Sequence, residues 1–422
     1  MSAVSGPHRP SRRAILRSAG ALAALGPLAA CGNNNGRGGS SSGGGKSISQ
    51  WYHQYGEKGT QQAAQKFAKA YKKADVSIQW VAGDYGSKLS AGLLSSSGPD
   101  VFEDQPNIQM VKAKQAVPLD DIVGPVKGDY LPADIASHTI DGKIYGVRMI
   151  DDPQFFYYRK SLFAKAGVQV PTTLDELIAA AAKLTNGKMK GVFLGNDLHG
   201  IAAPLVWSAG ADTLTADHKP AYHTDAVVGG LKSLRTLWTS GHLLTGAPTD
   251  YTDPGSFLNE LCAIQFCGMW AMPAILAKFP GDVGVFPFPK VGDAGKLSVY
   301  NGGWSAFVSS KAKDVDAAKA FVKWLWIDQT AYQKEWALNY GFHIPPRASI
   351  RSQATKLQSG VAADGVKLFN TYGHFDNPAF TPAMATALQA VLADSVRSGG
   401  DPGKALDKCD TTVNGQLKQL FG

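Results

Sequence analysis

The stretch Tyr157–Leu177, with the sequence YYRKSLFAKAGVQVPTTLDEL, decides the fold of this chain. It opens with aromatic residues that predict a buried strand. It closes on a helix start, because Thr173 can cap the free amides of a first turn and Glu176 can return the bond three residues later. A strand followed by a helix in this way is typical of an α/β protein.

Outward from this stretch, strand-like runs alternate with helical patterns. Strands are predicted at residues 48–52, 76–81, 100–103, 144–147, 155–158, 192–194, 262–266, 283–286 and 306–308. The chain has 422 residues, of which 44% are hydrophobic, so it is long enough for more than one core. We therefore expect two α/β domains.

Residues 1–30 are predicted to be a signal peptide, because they carry four arginines and no acids before the apolar run Ala19–Ala30. That run is too short for a membrane-spanning helix, which needs about 20 apolar residues. Ser11–Leu16 (SRRAIL) resembles a twin-arginine export signal, although the general secretory route stays open. Leu28–Cys31 (LAAC) matches the bacterial lipobox, which predicts a lipid on Cys31.

Residues 31–45 are predicted to be a flexible tether, because after Cys31 they contain only Gly, Asn, Ser and one Arg. Loss of the four signal-peptide arginines lowers the formal charge from +8 to +4, which gives no reason to expect a nucleic-acid partner. The other cysteines are Cys262, Cys267 and Cys409. We expect them to be buried, inert thiols.

Several segments, taken in order, resemble the extracellular solute-binding proteins of carbohydrate ABC importers, the group that includes maltose-binding protein. The segments are Trp51–Gly56, Gly98–Phe102, Ile140–Val147, Tyr157–Val168, Trp207–Asp212, Phe266–Trp270, Gly302–Phe307 and Gly341–Arg347. The resemblance covers the chain from Ile48 onwards. The sequence departs from the family pattern at Arg159, where Asn is common, and at Asn259–Leu261, which replaces a Lys-containing turn.

The resemblance implies a type II periplasmic-binding-protein-like fold, with two α/β lobes, crossover hinge strands and a ligand cleft between the lobes. Its N-terminal lobe is expected at 46–152 plus 300–338, and its C-terminal lobe at 153–299 plus 339–422. The hinge crossings are expected near 150–156, 297–303 and 338–342. The implied protein is a monomer, held at the outer face of the cytoplasmic membrane by the lipid on Cys31, and it delivers a small carbohydrate to ABC permease subunits.

A sugar presents C–H-rich ring faces and a belt of hydroxyls, so its site needs aromatic side chains and fixed polar groups. The predicted ligand-binding residues are Trp51, Tyr52, His53, Asp104, Gln105, Asp151, Asp152, Trp207, Trp270 and Trp304. The alternatives are core packing for the tryptophans, a structural role for His53, and a solvated acidic turn before Pro153 for Asp151 and Asp152.

Other functional classes find less support in the sequence. His218 and His223 lack a zinc-ligand spacing, and Ser40 stands where a phosphate loop needs its first Gly, so neither a metal nor a cofactor is expected. A secreted glycosidase stays open as an alternative, with Asp104 and Asp152 as its carboxyl pair. A ligand sensor that is not coupled to transport is the other alternative. We expect a binding protein and no enzymatic activity.

Overall fold

A computed structural model describes residues 46–422; the predicted signal peptide, Cys31 and the tether lie outside these residues. Its centre is a mixed sheet with the strand order β2-β1-β3-β10-β6-β8-β7, in which β11 also pairs with β10 and β9 with β6. The strands are β1 (Ser47–His53), β2 (Asp75–Val81), β3 (Val101–Asp104), β4 (Thr139–Ile140), β5 (Lys143–Ile144), β6 (Val147–Arg159), β7 (Lys190–Phe193), β8 (Cys262–Gly268), β9 (Val283–Phe286), β10 (Val299–Val308) and β11 (Gly373–Phe375). The strands β4 and β5 form a separate hairpin.

Helices flank the sheet and fill most connections between strands. They are α1 (Thr60–Ala70), α2 (Tyr85–Leu94), α3 (Ile108–Lys112), α4 (Asp120–Val123), α5 (Pro132–His138), α6 (Lys160–Ala166), α7 (Leu174–Leu184), α8 (Ala202–Ser208), α9 (Asp225–Thr239), α10 (Gly255–Leu258), α11 (Met272–Lys278), α12 (Val315–Lys323), α13 (Thr330–Leu338), α14 (Ala348–Arg351), α15 (Gly360–Tyr372), α16 (Pro382–Val391) and α17 (Pro402–Phe421). Thr173 caps α7, and Glu176 completes the capping box that the sequence predicts.

Two long strands connect the halves of the sheet. Residues 147–150 of β6 pair with β10 beside β3, whereas residues 154–159 pair with β8 and β9. Because β6 and β10 take part in both halves, we call the half with β1, β2 and β3 the N-terminal lobe and the half with β7, β8 and β9 the C-terminal lobe. The strand predicted at 144–147 is divided between β5, which ends at Ile144, and β6, which begins at Val147, whereas the strand predicted at 155–158 lies within β6.

Pro153 lies in the middle of β6, where a residue without an N–H would be expected to break the ladder. Asp151 exchanges both backbone bonds with Ile344, and Gln154 is the first residue that pairs with β8. Residues two apart in a strand direct their backbone groups to the same side. The backbone nitrogen of Pro153 therefore faces the gap between Ile344 and β8, on the side of β6 away from β10, so no ladder bond is lost. The bridge to Ile344 adds a third crossing, close to the predicted 338–342.

The hydrophobic cores follow this division. The largest cluster continues from Phe67 and Phe321 in the N-terminal lobe to Phe155 and Phe279 in the C-terminal lobe. A second cluster lies behind the C-terminal half of the sheet and includes Leu177, Phe266 and Leu406. A smaller one includes Leu89, Phe102 and Phe307, with Trp51 and Trp304 packed at its edge. Cys262, Cys267 and Cys409 are buried and unbridged, as the sequence predicts.

The lobes also touch away from the crossing strands. The α3 helix of the N-terminal lobe contacts the end of α17, where Gln109 donates to Gln416 at 3.1 Å and the Lys112 ammonium donates to the Leu420 carbonyl at 2.5 Å. The same ammonium lies 4.8 Å from the centre of the Phe421 ring. We call these contacts between α3 and α17 the clasp. Between Lys46 and Gly422, every helix is too short or too polar to cross a membrane.

Candidate functional site

The ends of β1 and β3 bring the predicted N-terminal-lobe residues to one edge of the sheet. The two strands are parallel, with Trp51 beside Phe102, so His53 and Asp104 both lie where their strands end. The antiparallel strand β10 pairs Ser305 with Asp104, which brings Trp304 to the same edge. Open α/β sheets commonly bind ligands at the carboxyl ends of their strands.

His53 and Trp304 form the centre of this edge. The two rings stack with their centroids 4.1 Å apart, and Tyr55 lies 3.9 Å from His53 on the centroid measure. The Tyr85 ring meets Trp304 edge-on at 6.0 Å. Trp304 is half-buried, so it combines a fixed ring position with some remaining exposure. Such a ring suits one face of a sugar.

Glu103 is fully buried and forms hydrogen bonds to three residues of this cluster. Its carboxylate accepts the His53 backbone N–H at 2.5 Å, the His53 Nδ1 and the Tyr55 hydroxyl at 2.8 Å. Its backbone carbonyl accepts the Tyr85 hydroxyl at 2.7 Å. The sequence predicts Glu103 as the last residue of a strand, and it was not among the predicted ligand-binding residues. Glu103 lies on β3, between β1 and β10. An acidic residue at the end of a predicted buried strand is the signal that could have identified it.

Trp51 and Tyr52 are consecutive residues of β1, so their side chains lie on opposite faces of the sheet. Trp51 is half-buried and packs on α2, where a Cβ added to Gly92 would lie 2.7 Å from its ring. Tyr52 points to the opposite face and is 0% exposed, with its hydroxyl accepting from Gln50 at 2.6 Å. The prediction that Tyr52 binds the ligand is therefore corrected: its ring is a core group that packs near Trp80 and Trp336.

Asp104 and Gln105 follow β3 at the same edge. Burial raises the pKa of Asp104 to about 7, and the backbone N–H of Gln105, which donates to its carboxyl at 2.8 Å, partly offsets this rise. Near neutral pH this carboxyl can therefore either donate or accept a hydrogen bond. That property suits a hydroxyl partner, so Asp104 stays a candidate. Gln105 is half-buried and also stays a candidate for ligand contact.

Asp151 and Asp152 lie within β6 and not in the solvated turn that was the alternative. Asp151 is 0% exposed and accepts from the Arg148 Nε at 3.0 Å and the Asn301 amide at 2.8 Å. Asp152 is 4% exposed and accepts from the His343 Nδ1. Both carboxylates are thus engaged with buried protein groups. We assign them to the crossing strands and no longer to direct ligand contact.

A second aromatic group lies where β10 enters the C-terminal lobe. Trp207 stacks on His374 with 4.3 Å between ring centroids, lies nearly parallel to Tyr300 at 5.8 Å, and is only 3% exposed. Its ring is therefore covered by neighbours, which supports packing over stacking on a sugar. Tyr300 donates to Asp376 at 2.7 Å, and burial raises the pKa of that carboxyl. Asp376 follows β11, a short strand that sequence patterns did not reveal.

Trp270 occupies the short helical turn after β8. Its ring packs directly over Gly268, and its indole N–H donates to the Thr252 carbonyl at 2.9 Å. The residue is half-buried, so part of the ring remains accessible. Trp270 therefore stays a candidate for ligand contact from the C-terminal lobe.

One group of metal-ligand type lies elsewhere, on the C-terminal lobe. His223, Asp407 and Asp410 bring their ligand atoms within 4.8 Å of one another. The His223 Nδ1 is already hydrogen-bonded to Asp410 at 2.6 Å, so the group is paired internally.

The sequence of this chain is similar to those of known solute-binding proteins. Residues 52–326 match the family of bacterial extracellular solute-binding proteins. Over 261 residues the chain is 24% identical to the multiple sugar-binding protein of Streptococcus mutans serotype c. That match spans 57% of this chain and 62% of that protein.

Solved structures show the same fold. A solute-binding protein of an ABC transporter from Thermotoga lettingae TMO, bound with alpha-D-tagatose, has a TM-score of 0.76 at 21% identity, covering 88% of this chain and all (100%) of that one. The GacH receptor of Streptomyces glaucescens GLA.O has a TM-score of 0.75 at 24% identity, covering 89% and 99%. The predicted fold class, a type II periplasmic-binding-protein-like fold, is confirmed. The chain belongs to the bacterial extracellular solute-binding protein family.

Proposed function

We propose that this protein binds a sugar or oligosaccharide between its lobes and delivers it to the permease subunits of an ABC importer. The observation that carries the proposal is the stack of His53 on Trp304 beside the crossing strands, in a chain of the solute-binding family. The relatives of this chain support the ligand class, because a multiple sugar-binding protein and arabinooligosaccharide-binding proteins are among them.

The proposed site combines residues from both lobes. The N-terminal lobe contributes Trp51, His53, Asp104, Gln105 and Trp304, and the C-terminal lobe contributes Trp270. We add Tyr300 and Asp376 because they form a hydrogen-bonded pair near the start of β10. The lobe limits are proposed at 46–152 plus 300–338 and 153–299 plus 339–422.

We also propose that the protein is an exported monomer anchored to the outer face of the cytoplasmic membrane through a lipid on Cys31. The LAAC sequence and the Gly-rich segment after it support the anchor. Labelling with radioactive palmitate in cells tests it: label should enter the wild-type protein and be absent from Cys31→Ala. Label that persists in the variant would contradict the anchor while leaving sugar binding untouched.

The position of Asp152 argues against the glycosidase alternative, whose carboxyl pair would be Asp104 and Asp152. Asp152 is 4% exposed and bonded to His343, so it cannot act on a glycosidic bond without leaving its partner. We therefore propose binding without hydrolysis. The sensor alternative differs only in its partner. Genes for two permeases beside this one would favour transport.

A thermal-shift screen of residues 46–422 against mono-, di- and oligosaccharides, polyols and polyamines tests the ligand class, because a ligand that binds only the folded state raises its melting temperature. We expect a selective rise with one carbohydrate family, confirmed by calorimetry. A selective rise with polyamines and none with carbohydrates would overturn the sugar assignment.

A further inference from the structure

The carboxylate of Glu103 is buried without a lysine or arginine partner among residues 46–422. It is stabilised instead by three donors: the backbone N–H of His53 at 2.5 Å, the imidazole Nδ1 of the same residue, and the Tyr55 hydroxyl at 2.8 Å. A buried carboxylate needs such donors, because the loss of even one leaves a desolvated charge. Glu103 and His53 are therefore bound to each other at two points.

The double contact determines which nitrogen of His53 carries a proton. An ionised carboxylate only accepts hydrogen bonds, so the imidazole must donate to it from Nδ1. This holds whether the ring is neutral or protonated. The remaining nitrogen, Nε2, has no hydrogen-bond partner in the part of the chain that the structure describes, and the His53 side chain is 20% exposed.

The faces of the imidazole are not available to a ligand. The rings of Tyr55 and Trp304 lie 3.9 Å and 4.1 Å from it between centroids, and these two rings do not pack on each other. They therefore cover opposite faces of His53. Only the edge that carries Nε2 remains, so His53 can offer a directed polar contact but no stacking surface.

We propose that Glu103 is a positioning residue that fixes the Nδ1–H form of His53, and that His53 Nε2 is the atom that bonds a ligand hydroxyl. A hydroxyl suits this nitrogen in both protonation states, since it donates to a neutral ring and accepts from a charged one. The contact between His53 Nε2 and a ligand hydroxyl rests on the proposed sugar-binding function, whereas the positioning role of Glu103 does not.

Glu103→Gln is the informative variant, because it keeps the size of the side chain and removes the charge. Asp100→Asn is its matched control. Asp100 is a second buried carboxylate, at the opposite end of β3, and accepts from the backbone N–H of Ser49 at 2.7 Å and of Lys313 at 2.8 Å. It shares the structural character of Glu103 but lies away from His53.

The first measurement needs no ligand. Long-range proton–nitrogen NMR of the ¹⁵N-labelled protein, with the signal assigned through His53→Gln, reports which imidazole nitrogen is protonated. We expect a protonated Nδ1 in the wild type and in Asp100→Asn, and a mixture of tautomers in Glu103→Gln. An Nδ1 without a proton in the wild type overturns the positioning role, whatever the protein binds.

The second measurement uses the sugar that the thermal-shift screen identifies, together with its singly deoxygenated analogues, in titration calorimetry. We expect His53→Gln and Glu103→Gln to weaken the parent sugar at least tenfold and Asp100→Asn to change it less than twofold. One analogue should bind the wild type and His53→Gln equally, because it lacks the hydroxyl that meets Nε2. If His53→Gln weakens every analogue by the same factor, Nε2 does not bond a hydroxyl.

Discussion

Trp304 illustrates how a single residue serves both the fold and the proposed site. Its ring stacks on His53, meets Tyr85 edge-on and lies against two hydrophobic clusters. Removal of a half-buried tryptophan therefore costs stability as well as ligand contact. A simple loss of binding in such a variant would be ambiguous unless a matched tryptophan is tested beside it.

We predict that Trp304→Ala weakens sugar binding at least tenfold and lowers the free energy of unfolding by about 2 kcal/mol, roughly half the cost of a fully buried tryptophan. Trp238→Ala is the control, because Trp238 is also half-buried but packs against the C-terminal core. Calorimetry should show normal affinity for the control and a comparable loss of stability. Unchanged affinity in Trp304→Ala would remove this residue from the site.

Arg159 shows that a departure from the family pattern can bring its own partners. Its guanidinium pairs with Asp282 at 2.6 Å and Glu260 at 3.3 Å and lies 3.8 Å from the centre of the Phe279 ring. Asp282 also accepts the backbone N–H of Ser161 at 2.6 Å, so it fixes the start of α6. Glu260 belongs to the second departure, the turn before β8, and the two changes are therefore in contact.

A double-mutant cycle between Arg159→Ala and Asp282→Ala should give a coupling energy of about 1 kcal/mol in urea unfolding, since both side chains are largely buried. The comparison is the pair Lys408 and Asp394, whose side chains are 76% and 47% exposed. Its coupling should stay below about 0.5 kcal/mol, as for other exposed ion pairs. Equal coupling in the two pairs would mean that the Arg159 contact contributes nothing specific.

At the scale of elements, the crossing segments are held together by charges that no strand pattern reveals. His343, from the third crossing, donates to Asp152 on β6 and faces Glu57 at 3.2 Å, in the loop after β1. Burial alone would lower the pKa of His343, but the two carboxylates outweigh it and raise the pKa to about 10. The imidazole is therefore charged at neutral pH and joins three separate segments.

This raised pKa predicts a loss of stability at alkaline pH. The folded protein holds a proton that the unfolded chain releases near pH 6.5, so the contribution is complete below that pH and disappears as the pH rises through about 10. Urea unfolding of the wild type should lose at most about 1.4 kcal/mol per pH unit in this window. His343→Gln should show a flatter dependence, whereas His199→Gln, at an exposed His–Asp pair, should keep the wild-type slope.

The clasp between α3 and α17 makes a second prediction at this scale. Its contacts join the two lobes, so they stabilise the arrangement in which the lobes touch. Lys112→Ala should speed sugar release two- to tenfold with little change in the association rate, because closure retains the ligand. Lys404→Ala, at an exposed position on the same α17, should leave release unchanged. Stopped-flow fluorescence measures both rates, and equal release from all three proteins would show that the clasp does not hold the lobes.

Considered as a whole, the molecule shows what its sequence could and could not predict. The order of strands and helices, the fold class and the capping box at Thr173 were predictable, because each depends on neighbours along the chain. The contacts of Asp151 and Asp152 were not predictable, because the crossing strands bring these carboxylates to their partners Arg148, Asn301 and His343. The choice between ligand contact and core packing for Trp207 could not be made from the sequence for the same reason, since His374 covers it from a distant segment.

The whole-molecule prediction concerns movement between the lobes. The crossings run through β6, β10 and the bridge of Asp151 to Ile344, and strands that cross between lobes in this way allow hinge bending. Because a ligand bound between lobes favours the closed arrangement, we expect a saturating sugar to lower the radius of gyration measured by small-angle X-ray scattering. The sugar should be recovered chemically unchanged after incubation. Cleaved sugar would move the assignment to a glycosidase, whereas tight binding without compaction would mean that the protein is already closed before the ligand arrives.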